Sequence, residues 1–234
     1  MKILAFDSAT ELCSAALLVN EHLLVREEET GRTHAARILP MIDELLRESR
    51  LGLAELDALA FGRGPGGFTG VRLATSIAQG LALGASRPVV PVSDLQALAE
   101  RAFALDAAAT HALVCNDARM HEVYWAVYGR CDAGGSQLLG EERVGPPASV
   151  ALPAVVLAAA AGVTRVTGAG RGFQIYPALR ERLGAHLSGL QETLLPRAAE
   201  MARIGAREWR AGRAVAAAEA LPVYLREDVA KPVA

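Results

Sequence analysis

Gly62-Arg63-Gly64-Pro65-Gly66-Gly67-Phe68-Thr69-Gly70 is the stretch on which the reading of the whole chain turns. Five glycines and a proline in nine residues exclude a helix or a regular strand. The apolar run at residues 56–61 reads as a short buried strand, and residues 71–83 read as a helix. The stretch is therefore a strand-to-helix turn, with Thr69 as candidate helix N-cap. Glycine admits positive φ and the close approach of a backbone or a ligand. Free N–H groups and the dipole at the start of the helix suit an anion such as phosphate. A tight turn packed on a neighbouring backbone explains the same glycines. No Lys-Ser/Thr follows the last glycine, so the loop is not a Walker A motif. Its spacing also misses that of a dinucleotide-binding turn.

Working outward, the N-terminal side reads as strands at 2–6, 13–19 and 23–29, followed by a helix at 33–49. Ala35, Ile38, Leu39, Ile42, Leu45 and Leu46 paint one face of that helix, and Met41 broadens it. Pro40 is expected to kink the helix or mark its true start. The helix after the glycine loop carries small residues at Ala74, Ser76, Ala78, Gly80, Ala82 and Gly84. They suit close approach of another helix, or ordinary packing on a sheet. A strand at 89–92 and a helix capped by Ser93 and running through Leu105 follow.

The pattern then restarts. Strands are expected at 111–116, 122–128 and 137–144, and a helix at 148–161, broken near Pro153. A strand at 165–167 leads into a second glycine turn, Gly168-Ala169-Gly170-Arg171-Gly172, then helices at 173–183 and 197–211. The two halves share an order of elements. This predicts an α/β protein of two related subdomains, 1–92 and 93–234, with the C-terminal helix free to pack back on the first. A cleft would lie between them, with Asp7 and Asp117 facing it from opposite sides.

The chain of 234 residues has a net charge of −2, which leaves no basic footprint for nucleic acid. Cys13, Cys115 and Cys131 show no metal or redox spacing and read as reduced thiols. The opening residues are expected to form a strand rather than a signal peptide, and the alanine-rich run at 154–162 is too short to cross a bilayer. A soluble cytoplasmic protein without membrane attachment is expected. Asp7 with Thr10 suits a metal-bound water and a phosphate oxygen, or a plain turn cap. The five histidines show no metal-binding spacing, so no zinc or iron site is expected. No serine sits in a nucleophile elbow. Asp117, Arg119 and Glu122 suit an ion-pair cluster, and Arg63 and Arg72 flank the glycine loop where phosphate or carboxylate would bind.

Several segments together resemble one family: Asp7-Ser8-Ala9-Thr10 with Cys13-Ser14, Arg37-Ile38-Leu39-Pro40-Met41, the glycine stretch extended by Val71-Arg72, and Gln79-Gly80-Leu81-Ala82. So do Asp117-Ala118-Arg119, Glu122-Val123-Tyr124-Trp125 and Pro222-Val223-Tyr224-Leu225-Arg226. In order and spacing they are similar to the TsaB (YeaZ) family over nearly the whole chain, more loosely over 148–196. Gly67, where that family more often has Ser, and Asn116, where an apolar residue is usual, are departures. The resemblance implies the actin/hexokinase/heat-shock-ATPase-like fold, each subdomain a mixed sheet with flanking helices. It implies a role in adding threonylcarbamoyl to adenosine 37 of tRNAs that read codons beginning with A. It also implies a catalytic paralogue, TsaD, with a HxxxH metal site that this chain lacks. This chain would then be a non-catalytic scaffold with no metal site and no catalytic residue.

On that reading the partners are a TsaD-like paralogue and a TsaE-like ATPase. A homodimer forms in isolation, and tRNA is met only through the complex. The pairing face would hold Arg37, Ile38, Leu39, Met41, Ile42 and Leu45 on the first helix. Arg72, Thr75, Ala78, Gln79 and Ala82 would hold it on the second. No cofactor is required, with ATP or ADP placed at the partner interface. The candidate nucleotide contacts are Asp7, Thr10, Gly66, Gly67, Thr69 and Asp117. The rival reading is an ATP-dependent small-molecule kinase of the same fold class, with Asp7, Thr10 and the two glycine turns around the nucleotide.

Overall fold

The computed structural model describes residues 1–31, 33–132, 134–158 and 164–226. In the first half, β1 (Lys2–Asp7), β2 (Leu12–Val19) and β3 (His22–Glu29) precede α1 (His34–Ser49). Next come β4 (Ala58–Gly62), α2 (Phe68–Ala85), β5 (Val89–Val92) and α3 (Asp94–Leu105). The second half runs β6 (His111–Asp117), β7 (Val123–Arg130), β8 (Ser136–Leu138), β9 (Arg143–Gly145) and α4 (Ala154–Leu157). It closes with β10 (Val166–Ala169), α5 (Arg171–Ile175), α6 (Pro177–Leu183), β11 (Gly189–Gln191) and α7 (Ala198–Arg210).

The first sheet has the order β3-β2-β1-β4-β5, antiparallel across β1–β2–β3 and parallel across β1–β4–β5. The second has the order β11-β10-β6-β7-β8, with the same directions and with β9 also paired to β7. The order of strands is thus repeated, with β6 in the place of β1 and β10 in the place of β4.

Strand alternation fixes the layers. Leu4, Phe6, Ala15 and Leu17 pack under α1 and α2, against Ile38, Leu45 and Ala78. Ile3, Ala5 and Ala16 point to the other face and meet Met201, Ala202 and Ile204 of α7. In the second sheet Leu113, Cys115 and Trp125 meet Phe173 and Leu179, while Ala112, Val114 and Ala126 meet Leu95 and Leu98 of α3. The chain therefore crosses over: α3 covers the second sheet and α7 covers the first. Fully burying an aliphatic side chain of this size contributes about 1.5–3 kcal/mol, so each sheet is held by a helix from the far half of the sequence. Arg207 of α7 and Glu100 of α3 form an ion pair where the two helices meet.

Several elements differ from expectation. Gly67, not Thr69, is the N-cap of α2, and no side chain caps it. Pro40 neither starts nor ends α1 but lies inside it. The strand expected at 137–144 is two short strands, because Gly140, at φ +93°, turns the chain between them. The helix expected at 148–161 is, within the described residues, a 3-10 turn at Pro147–Ser149 and the four-residue α4; residues 159–161 of it lie outside them. The helix expected at 173–183 is divided at Tyr176-Pro177, where proline removes the donor that would continue it. Ser93 caps α3 as read, its hydroxyl accepting from Gln96 N–H. Among the described residues no helix is long and apolar enough to cross a membrane.

Candidate functional site: the cleft between the sheets

The glycine loop enters the cleft by packing on the β1–β2 turn. Gly67 N–H donates to the Ala9 carbonyl at 2.7 Å, and the Ser8 hydroxyl donates to the Gly70 carbonyl at 2.8 Å. A Cβ at Gly66 would lie 2.6 Å from the Ala9 oxygen. The close approach that these glycines permit is thus taken by the chain's own backbone. What remains open is the uncapped start of α2. Its first N–H groups have no helical acceptor, and Phe68, Thr69 and Gly70 line a cleft of about 650 Å³.

Thr10, Gly66, Gly67, Thr69 and Asp117 line that cleft together. Asp7 does not. It is wholly buried, its Oδ1 accepts from Ala9 N–H at 2.9 Å, and its side chain faces Asp94, whose Oδ2 accepts from Gly64 N–H at 2.7 Å. Burial pushes both carboxyls above the usual carboxylate range, and for Asp94 the negative charge of Asp7 adds to it. Alternation explains the misplacement. Asp7 shares its face with Ile3 and Ala5, and so points toward the crossing helices. Its counterpart in the second half is Asn116, on the face of Ala112 and Val114, not Asp117. Gly62, the last residue of β4, lies against Asp7, and a Cβ at Gly170, just after β10, would overlap the Cys115 carbonyl oxygen and lie 3.0 Å from Asn116 Oδ1.

On the far wall Asp117 Oδ1 accepts from Tyr176 O–H at 2.9 Å and from Arg119 N–H at 3.0 Å. Desolvation, then the Asp117 carboxylate, pushes the Tyr176 hydroxyl up to about 12. Arg119, Met120 and His121 all have φ near +60° (61°, 54° and 60°). For non-glycine residues that conformation costs about 1–2 kcal/mol each. The turn is buttressed by Arg226, which pairs with Glu122 and donates to the Ala118 carbonyl at 3.1 Å. The cluster expected of Asp117, Arg119 and Glu122 therefore divides: Arg119 Nε lies 3.7 Å from Asp117, while Glu122 goes to Arg226.

Glu11 spans the cleft mouth, 3.4 Å from Arg119 and 3.9 Å from Arg171, which also meets Glu29 at 2.7 Å. The C-terminal segment closes another side. Val223 N–H donates to the Arg63 carbonyl at 2.7 Å, Gln79 donates to the Ala220 carbonyl at 2.8 Å, and Arg72 donates to the Tyr224 hydroxyl at 2.8 Å. Arg72 also stacks on Phe68, 3.6 Å from the ring centre. Arg63 reaches across to Glu142 at 3.3 Å. Glu11, Asp94, Glu142 and Tyr176 carry no local motif, and only their tertiary pairing marks them; Arg171 stands in the second glycine turn.

The pairing face also needs correction. Ile38, Met41, Ile42, Leu45, Thr75, Ala78 and Ala82 are buried against the first sheet and offer no free surface. Arg37 pairs with Glu28 at 2.8 Å. Arg72 is exposed and Gln79 half-buried. Of the expected apolar residues Leu39 is exposed, at 48%, and the outward side of α1 and α2 also carries Leu83, 76% exposed, with Pro40, Gly80 and Gly84.

The chain is 42% identical to the tRNA threonylcarbamoyladenosine biosynthesis protein TsaB of Escherichia coli, over 98% of this chain and 96% of that protein. It is 40% identical to the Haemophilus influenzae protein of the same name, over 98% and 95%. The chain belongs to the TsaB (YeaZ) family. Residues 25–227 also match the family model described as TsaD: tRNA N6-adenosine threonylcarbamoyltransferase. A solved structure described as YeaZ from Pseudomonas aeruginosa superposes with a TM-score of 0.85 at 42% identity, over 96% of this chain and 99% of that one. A second Pseudomonas aeruginosa structure, described as an uncharacterized protein with similarity to peptidase YEAZ, gives 0.87 at 43% identity over the same shares. The duplicated sheets with flanking helices place this TsaB-family chain in the actin/hexokinase/heat-shock-ATPase-like class. Among its described residues no group of three or more His, Cys, Asp or Glu is arranged to hold a metal ion.

Proposed function

We propose that the chain is a non-catalytic, activating subunit of the assembly that adds threonylcarbamoyl to adenosine 37 of tRNAs reading codons beginning with A, acting by pairing with a TsaD-like catalytic paralogue. The observation that carries this reading is the end-to-end relationship to TsaB proteins. The outward side of α1 and α2 supports it. Leu39 and Leu83 are large apolar side chains left in water, and on α2 the exposed Gly80 and Gly84 flank Leu83, where another helix can come close.

On the same reading a TsaE-like ATPase joins the pair, and two copies of this chain pair through that side when the paralogue is absent. tRNA is met through the complex, in keeping with a net charge of −2. ATP or ADP belongs at the interface with the paralogue, and the chain requires no cofactor of its own. The kinase reading needs Asp7 at the cleft, and Asp7 is packed on Asp94 instead.

The test is a reconstituted modification reaction. The paralogue, the ATPase, threonylcarbamoyl-adenylate and tRNA are combined with and without this chain. Modified adenosine should form only when the chain is present. Equal yields without it would refute the assignment, and magnesium-dependent ATP turnover by the chain alone would favour the kinase.

A further inference from the structure

The end of β1 and the start of α3 meet at two carboxyl groups with no salt-bridge partner among the described residues. Asp7 and Asp94 are both wholly buried. Asp7 Oδ1 is held by Ala9 N–H and Asp94 Oδ2 by Gly64 N–H. Asp7 Oδ2 and Asp94 Oδ1 remain buried without a partner. Gly62 packs on both: a Cβ there would overlap Asp7 Oδ1 and lie 3.0 Å from Asp94 Oδ1.

Among the described residues, the surrounding elements supply no compensating charge. β2 brings Ser14, whose hydroxyl accepts from Ala198 N–H, and Cys13, whose thiol burial pushes up to about 11. The glycine loop brings Arg63, already committed to Glu142. Ser93 before α3 and Tyr128 of β7 also bond Glu142, so that side adds negative charge. α7 brings Glu200, paired with Arg197 and Arg203. Two ionised carboxylates cannot share such a site; one proton between them satisfies both orphan oxygens.

We propose that Asp7 and Asp94 share one proton in a hydrogen bond between Asp7 Oδ2 and Asp94 Oδ1, and that this proton locks the end of β1 to the start of α3. Release of the proton sets two like charges against each other at the point where the chain passes from one sheet to the other. The junction, and with it the cleft, is thereby made sensitive to pH.

Infrared spectroscopy of the purified chain reads the proton directly. At about pH 7 the wild type should show the carbonyl band of a protonated carboxylic acid, and it should be lost in Asp94→Asn, where the amide donates to an ionised Asp7. Absence of the band in the wild type overturns the proposal whether or not the variant folds. Amide exchange reads the lock. Corrected for intrinsic rates, protection of Ala97 N–H, which donates to the Ser93 carbonyl at the start of α3, should fall at least about tenfold when the pair loses its proton, one pKa unit's worth of equilibrium. In Asp94→Asn it should not vary with pH. PH-independent protection in the wild type would refute the lock.

Discussion

Replacing Gly70 by alanine sets two effects of opposite sign against each other. In a helix interior alanine is favoured over glycine by about 0.8–1.0 kcal/mol, and Gly70 lies in the first turn of α2. Propensity alone therefore predicts stabilisation. The structure predicts the reverse. The new Cβ would overlap the Ser8 carbonyl oxygen, and would lie 2.8 Å from its carbon and 3.2 Å from Ala9 Cα. Carbon atoms pack at about 3.5–4.0 Å, and these are backbone atoms that no rotamer change can clear. Either the start of α2 or the β1–β2 turn must move by about an ångström. The same turn is held by the Ser8–Gly70 and Gly67–Ala9 hydrogen bonds, each worth about 1 kcal/mol. Overpacking adds about 1–3 kcal/mol. After the propensity gain is subtracted, Gly70→Ala should cost about 2–4 kcal/mol. Gly80→Ala in the same helix is the internal control, because a Cβ there meets nothing within 4 Å. It should stabilise by about 1 kcal/mol. Urea unfolding of the three proteins at equal, low concentration measures both differences. A Gly70→Ala variant at least as stable as the wild type would sink the claim that these glycines exist to seat the β1–β2 turn.

The two faces of α1 should separate cleanly. Leu45→Ala, in the core, should cost about 2–5 kcal/mol by calorimetry. Leu39→Glu, on the outer side, should leave monomer stability within about 0.5 kcal/mol yet abolish co-elution with the catalytic paralogue; retained co-elution would clear Leu39 of that role. The acid pair gives stability a sign with pH. Burial raises Asp7 to about 6 in the fold from about 3.9 unfolded, so the native state binds more protons and stability should fall as pH rises from about 4 through 6, by up to about 1.4 kcal/mol per pH unit per group. Asp94→Asn should flatten that slope, and an unchanged slope would assign it elsewhere. Arg226→Ala removes a half-buried ion pair and a charged hydrogen bond to Ala118. Discounted for partial exposure, the loss should be about 1–2 kcal/mol, with faster proteolysis at residues 119–121 as the visible sign.

What could be read in advance depended on whether a signal had one structural meaning or two. A short apolar run ended by polar residues had one, so strands such as β1, β2 and β6, buried on both faces, were legible to within a residue. An apolar stripe on a helix has two, since the core and a partner surface select the same residues. α2 shows why no closer reading would have helped. Ala74, Ala78 and Ala82 recur at i+4, and so do Ser76, Gly80 and Gly84; the first row faces the sheet and the second faces water. Only the sheet underneath distinguishes them. The glycine loop had two meanings as well, a ligand cradle or a backbone seat, and its glycines are occupied by Ser8 and Ala9. The same ambiguity misaligned the internal repeat. Counting strand ends pairs Asp7 with Asp117, whereas counting faces pairs it with Asn116, and the cradle shows that the second count is right. At each site a glycine at the end of the parallel strand beside the first, Gly62 of β4 or Gly170 just after β10, approaches the buried polar side chain. The repeat then breaks at its third member. The first helical residue of α3 is Asp94, while that of α7 is Ala198. One half can therefore hold a shared proton, and the other holds Asn116, whose two side-chain polar atoms are both unpartnered in a residue 4% exposed. The asymmetry lies at the two ends of the crossing, where α3 leaves one sheet to cover the other and where α7 returns. A titrating pair at one of those ends alone can loosen the crossing without disturbing either sheet.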